Sequence, residues 1–338
     1  MIARPVHIRH ARPYALLILL LLVACGAPAT NTTSAPPVSA TVETTAAPAQ
    51  STATFPLTIK HEAGEATISK TPERVVTVGD EITEVVAALG IKPVGVAGRM
   101  QNGVVGGQLT KTGYYTAEQI GEPTFVGTVT EPNIEAVAAL KPDLILYLNY
   151  DDKIYDALAQ VAPTLGYDLG KKARWQQVIV EIAPIWGREA QAEQVVREFA
   201  AQRDALRSEL APLVQQSPNV TLLYLPDAQT TFVFNEEFAL GGLIQDLGFT
   251  PTPPQGVQLQ NGMATISVEA LANLKTDAAL TLRIATDGEL ERYPAEELLD
   301  SLKVPVRRYV INPEQPYTGP ISERAYLENF AKLLKAQE

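Results

Sequence analysis

Histidine is almost absent from this sequence. There are three in 338 residues, and His7 and His10 lie in the first ten positions, so only His61 belongs to the main body of the chain. That excludes a His-rich zinc, manganese or nickel site, and any Ser-His or Cys-His catalytic pair that does not use His61. His61 falls between Lys60 and Glu62 in an expected hairpin turn and reads as an exposed turn residue. Cysteine is scarcer still: Cys25 is the only one, with no second cysteine that would give it a structural role. Basic residues are outnumbered, 27 Lys and Arg against 38 Asp and Glu. Such a surface is unsuited to gripping nucleic acid or anionic lipid. No Gly-rich phosphate cradle is present, since "GVVGGQ" (Gly103 to Gln108) lacks the Lys-Ser/Thr ending and does not open a helix. Nothing resembles a nucleophile elbow, and the Asp151-Asp152 pair reads as a solvated face in an acidic protein. An enzyme is therefore not expected.

The one long apolar run is "ALLILLLLV", Ala15 to Val23. Nine residues are too few to span a bilayer, and with Arg4, Arg9 and Arg12 ahead of them they suit a secretory signal. The run ends in Leu22-Val23-Ala24-Cys25-Gly26, which resembles the bacterial lipobox. On that resemblance residues 1–24 are a lipoprotein signal peptide and Cys25 becomes the lipidated first residue. Without the three leader arginines, 24 basic residues face 38 acidic ones, a formal charge of −14. From Gly26 to about Thr54 the chain is Ala, Thr, Ser and Pro with a single charge, Glu43. It cannot bury a core and reads as a disordered tether over 25–54.

Beyond the tether the pattern alternates between short apolar runs and helical segments. "FPLTIK" and "EATISK" read as a hairpin. "RVVTVG", "VGVAG", "TFVGTV" and "LILYL" read as buried parallel strands, with "EITEVVAALG" as a helix ended by Gly90. Residues Lys171 to Pro212 look helical, split near Trp186-Gly187. Then "VTLLYL", "FALGGLIQDLG" and "VRRYVI" resume the alternation. Strand–helix order of this kind points to α/β domains with parallel sheets. A short unit also occurs twice. Glu135-Ala136-Val137-Ala138-Ala139-Leu140-Lys141-Pro142-Asp143 aligns without a gap on Glu269-Ala270-Leu271-Ala272-Asn273-Leu274-Lys275-Thr276-Asp277. The spacing is far too long for a solenoid, so the expected architecture is two parallel-sheet α/β lobes joined by a single long helix, with a ligand cleft between them. The lobes are expected at 55–170 and 189–338, and the connecting helix at 171–188.

In parallel α/β sheets ligands bind beyond the carboxyl ends of the strands. The candidates there are Arg99, Thr128, Asn149 and Tyr150 in the first lobe, and Arg283 and Tyr317 in the second. Arginine and tyrosine at such positions suit an anionic, aromatic or iron-chelate ligand.

Four stretches together resemble the periplasmic binding proteins of ABC importers for ferric siderophores, haem and vitamin B12. They are "PERVVTVGDEITEVVAALGIKPVGVAG", "EPNIEAVAALKPDLIL" with "LAQVAPTLG", "EIAPIWGREAQAEQVVREFAAQ", and "ISVEALANLKTD". The resemblance runs from about Thr71 to the C-terminus. It implies two α/β lobes on one rigid helix, for which "KKARWQQVIVEIAPIW" stands here, and only slight closure on ligand. It implies a ferric siderophore as ligand, with cobalamin or haem as alternatives, and no cofactor besides the N-terminal lipid. The single histidine argues against the zinc and manganese branch and against His-ligated haem. The loop "PPQGVQLQNGMATIS" carries no aromatic, which is at odds with a tryptophan-stacked ligand. The partners implied are an ABC permease dimer with its ATPase. The protein would be a monomer held at the extracytoplasmic face of the cell membrane through its lipid alone, without nucleic acid. By motif position Glu135 and Glu269 are the exposed glutamates, one per lobe, that dock on the permease. A tethered structural lipoprotein with a degenerate cleft and a hydrolase are the readings from other classes.

Overall fold

The alternating segments that open the globular part pair as expected. β1 (Leu57–His61) and β2 (Gly64–Ile68) form an antiparallel hairpin with Ile59 and Ile68 turned inward. The computed structural model describes residues 53–98, 104–105, 108–109, 117–148, 151–171, 174–284, 292–311 and 318–336. Cys25 and the expected signal peptide and tether lie outside these. No helix among the described residues is long and apolar enough to cross a membrane.

The first sheet is built from β3 (Val75–Val78), β4 (Gly95–Gly98), β5 (Val104–Val105), β6 (Gln108–Leu109), β7 (Thr124–Thr128), β8 (Leu144–Leu148) and β9 (Thr164–Tyr167). Their order is β5-β6-β7-β4-β3-β8-β9, and the run from β7 to β9 is parallel. Every residue of β3, β8 and β9 is buried, which is why these strands read as continuous apolar runs rather than alternating ones. α1 (Asp80–Ala88), α2 (Ala117–Ile120), α3 (Ile134–Ala139) and α4 (Asp152–Ala159) connect them.

After β9 come α5 (Arg174–Ile182), a 3-10 turn (Ala183–Trp186), and α6 (Glu189–Gln216). The connecting helix is therefore misplaced by the sequence reading. Among the described residues, segment 171–188 holds a nine-residue helix and a 3-10 turn, closed by Gly187 in the left-handed conformation, and the longer element is the 28-residue α6. At 1.5 Å per residue α6 spans about 42 Å. Gln191 near its start donates to the Ala88 carbonyl of α1, while Gln202 and Glu209 further along bond to the C-terminal helix α9 (Ser322–Lys335).

The second sheet contains β10 (Asn219–Leu225), β11 (Thr231–Phe234), β12 (Thr250–Pro251), β13 (Met263–Ile266), β14 (Ala278–Ile284) and β15 (Val306–Ile311). Its main order is β13-β11-β10-β14-β15, with β12 beside β10. α7 (Ala239–Asp246) and α8 (Pro294–Ser301) pack on it. β10, β12, β14 and β15 are parallel, but β11 and β13 are antiparallel additions, so this sheet is mixed rather than wholly parallel. The reversal after β10 is set by Asp227, whose Oδ1 accepts the backbone N–H of Gln229 (2.8 Å) and Thr230 (2.7 Å).

One apolar core runs through both sheets. It links Val76 and Leu146 of the first to Leu222 and Leu280 of the second through Trp175, Phe199 and Phe330 on the helices. Residues Pro48–Glu338 accordingly form one compact unit. A smaller core under α8 joins Leu223, Leu225, Ala279 and Leu299.

Candidate functional site

A cavity of about 810 Å³ opens where residues of the two sheets face each other. That lies within the range of small-molecule sites. From the first sheet's side come Glu81 of α1, Leu148 at the end of β8, and Asp168 to Lys171 just after β9. From the second come Phe238, the stretch from Gln258 to Thr265, and Thr318. The two halves also touch each other at this wall. Gly170 accepts a hydrogen bond from the Ala239 N–H at 3.0 Å, and Lys171 bridges to Phe238.

Each wall has a local cause. Gln260 and Met263 exchange two backbone bonds (2.9 and 3.1 Å) around Asn261-Gly262, both at positive φ (50° and 77°). This is the Asn-Gly hairpin turn, whose left-handed residues match strand twist. Gly262 admits no side chain, because a Cβ there would strike the Phe238 backbone nitrogen. Phe238 is held by a stacked contact with Phe234, ring centroids 4.9 Å apart. Asp168 accepts the Gly170 N–H at 2.9 Å, which fixes its carboxylate at the wall. Among the described residues, no group of three His, Cys, Asp or Glu side chains is placed to hold a metal ion.

A buried carboxylate ties the two halves together beside the cavity. Glu84 of α1 accepts from Ile321 N (3.0 Å), Ser322 N (2.8 Å) and Ser322 Oγ (3.0 Å), capping α9 from across the molecule. Burial outweighs these donors and holds its pKa well above the usual carboxylate range. Gly319, at φ 134°, lies so close that a Cβ would meet the Glu84 carboxylate. Trp175 of α5 adds a 2.7 Å bond from its indole N–H to Glu323.

Of the sequence candidates, Arg99, Asn149, Tyr150 and Tyr317 lie outside the described residues, although Leu148 and Thr318, next in the chain to Asn149 and Tyr317, line the cavity. Thr128 ends β7, half-buried, and accepts the Glu131 N–H at 3.1 Å. It is not among the described lining residues. Arg283 departs from the expectation of a cleft arginine. It is 1% exposed, its Nη1 lies 3.0 Å from Glu296 Oε2, and its guanidinium sits over the Tyr293 ring. Glu296 also accepts from Arg308 Nε (2.6 Å), Tyr293 N (3.0 Å) and Thr281 Oγ1 (3.3 Å), so this charge is committed beneath α8. His61 departs as well. It is half-buried, accepts the Gly166 N–H at Nδ1 (3.3 Å) and packs on Tyr155 and Tyr167, because the hairpin lies against β9. Burial lowers its pKa.

Glu135 is exposed in the first turn of α3, whose cap Asn133 accepts the Ala136 N–H at 2.9 Å. Glu269 is equally exposed, in the first turn of a 3-10 helix (Val268–Asn273). Its own N–H and the Ser267 hydroxyl hold its carboxyl below the usual range. Sequence reasoning missed Phe238, Gln258, Gln260, Asn261, Met263 and Thr265. The Asn261-Gly262 dipeptide between polar and β-branched residues was the signal that marked them as a hairpin.

Residues 75–287 match the periplasmic binding protein family, and the chain belongs to it. The match covers the first sheet, every strand of the second but β15, and the described cavity wall apart from Thr318. It is 28% identical over 243 residues to the probable siderophore-binding lipoprotein YfiY of Bacillus subtilis, covering 69% of this chain and 71% of that one. It is 27% identical over 205 residues to the ferric enterobactin-binding periplasmic protein FepB of Escherichia coli, covering 59% and 63%. In fold it is similar to Staphylococcus aureus SirA, solved with staphyloferrin B. That likeness has a TM-score of 0.64 at 21% identity and covers 83% of this chain and 99% of the other.

Proposed function

We propose that this protein is an extracytoplasmic receptor that captures a ferric siderophore in the cavity between its sheets and delivers it to an ABC permease with its ATPase. The observation that carries this reading is the cavity of about 810 Å³, walled by the charged Glu81, Asp168 and Lys171, by the amides Gln258, Gln260 and Asn261, by two threonines, and by Phe238 and aliphatic side chains. Polar and charged side chains converging beside an aromatic ring and aliphatic groups suit capture of a compact organic chelate. The names of the relatives point the same way. Lipidation at Cys25 would hold the receptor at the cell membrane, with the tether letting it reach the permease. Glu135 and Glu269 would dock there, one from each half, and their exposure leaves both carboxylates available. Arg99, Thr128, Asn149, Tyr150 and Tyr317 are retained as contacts for the ligand, whereas Arg283 is assigned to the fold of the second half.

The role is stoichiometric binding rather than turnover. Calorimetric titration of the mature protein with ferric hydroxamate, ferric citrate, ferric catecholate, cobalamin and haemin tests it. Saturable one-to-one binding of an iron chelate is expected. Binding of cobalamin or haemin alone would move the ligand to those alternatives, and silence towards all five would overturn the receptor reading.

A further inference from the structure

We infer that Glu84 is a positioning residue for ligand capture, holding the Thr318 wall of the cavity against α1 so that the site is formed before the ligand arrives. This rests on the siderophore reading above and deepens it. Glu84 is not among the described lining residues, so it acts through the wall rather than by touching the chelate.

The reason lies at the start of α9, which has no cap of its own. Ile321 stands at the cap position and offers no side-chain acceptor. The N–H groups of Ile321 and Ser322 turn instead to Glu84 Oε2 (3.0 and 2.8 Å), which also takes the Ser322 hydroxyl (3.0 Å). Glu84 and Ser322 are fully buried, so water cannot replace these bonds. Ile321 adds an apolar anchor on Ala87 of α1 and Ile120. Gly319 closes the contact. Its φ of 134° and a Cβ that would strike the Glu84 carboxylate leave the position to glycine alone.

Both sides of this contact reach the cavity. Glu81 lies one helical turn before Glu84 on α1 and lines it, and so does Thr318, the residue before Gly319. Thr318 is 2% exposed, and its hydroxyl has no hydrogen-bond partner among the described residues. A segment left to itself would not strand a hydroxyl, since a buried polar group without a partner is costly. Thr318 stays at the wall because Glu84 anchors the residues that follow it. Without that anchor the segment leaves the wall for part of the time. The apparent dissociation constant rises as the fraction with a formed wall falls, so a fall to about a tenth is a tenfold loss of affinity.

The mature protein and its variants are titrated with ferric hydroxamate, ferric citrate and ferric catecholate, and Tm is recorded for each. Glu84→Ala is expected to weaken the best-bound chelate about tenfold. Glu84→Gln keeps an oxygen for the same three donors and should hold affinity to within about twofold of the parent. Gly319→Ala should weaken binding about as much as Glu84→Ala, and Ser322→Ala, which removes one donor, about threefold. Leu299→Ala creates a cavity in the separate core under α8 and lowers Tm, yet should bind like the parent. Should Glu84→Ala fail to fold, Gly319→Ala and Ser322→Ala decide. Parent-like affinity in Gly319→Ala and Ser322→Ala, no rescue by Glu84→Gln, or an equal loss in Leu299→Ala overturns the positioning role while leaving a siderophore receptor standing. Binding of none of the three chelates by the parent overturns both.

Discussion

The two copies of the Glu-headed unit share six of nine residues, yet one is an α-helix and the other a 3-10 helix. The difference lies at their ends. In the first copy the Asn133 side chain caps α3, and at the other end the Arg74 guanidinium donates to the Leu140 carbonyl (2.6 Å from Nη2) and to that of Lys141. In the second, Ser267 makes no such cap, and Asn219 stands where Arg74 would be. Orphan carbonyls and N–H groups decide short helices, and only one copy has both sets satisfied.

What the copies do share is the closing aspartate. Asp143 accepts the N–H groups of Glu73 (2.9 Å) and Arg74 (2.8 Å), just before β3. Asp277 accepts from Asn219 N (2.8 Å) and Asn219 Nδ2 (3.1 Å), at the start of β10. Both aspartates also donate their own N–H to the neighbouring chain, to Arg74 and Asn219 respectively. Each therefore sets the register between a central strand and the strand that follows the unit. The repeat is structural at its tail, and we assign the docking role to its head.

Breaking the head should have the largest effect. Glu135→Arg with Glu269→Arg is expected to abolish uptake of the chelate in cells while leaving ligand affinity within about twofold, since neither residue is among those described at the cavity. Normal uptake by the double variant would remove the docking role. The tail comes next. Asp143→Ala and Asp277→Ala should each cost about 1–3 kcal/mol, the penalty for stranding backbone donors. Urea denaturation measures this, and similar losses are expected because the two aspartates make matched contacts. A loss from only one would show that the copies are not equivalent.

The smallest effect concerns the tie between the halves. Glu84 has its pKa raised in the folded state, so the native protein holds that proton more tightly than the unfolded chain. Its contribution is full below the usual glutamate pKa and drains away as pH rises through the folded value. Glu84→Gln, which mimics the protonated acid, should therefore show a shallower fall in Tm from about pH 5 to pH 8 than the parent. Parallel Tm profiles would place Glu84 outside the titration.

The first half was more legible than the second for a physical reason. β3, β8 and β9 are buried on both faces, so they leave continuous apolar runs that local reading detects. β13 is a short, only partly buried addition to the second sheet inside a stretch read as loop, and the four-residue β11, although mostly buried, was too short to be assigned an element. The split near Trp186-Gly187 was visible, but not which side of it carried the long helix. That choice depends on Gln191 meeting α1 and Gln202 meeting α9, contacts that no local pattern encodes.

The sequence by itself determined the strand–helix alternation, the doubled unit with its exposed glutamates, the acidic charge balance and the poverty in histidine. These follow from periodicity and counting, which need no knowledge of what touches what. Only the tertiary structure decided that Arg283 is spent on Glu296, that His61 is packed under tyrosines, and that Glu81, Asp168 and Thr318 meet around one cavity. Those outcomes turn on pairings across tens to hundreds of residues, where burial and a charge partner, rather than residue type, fix what a side chain does.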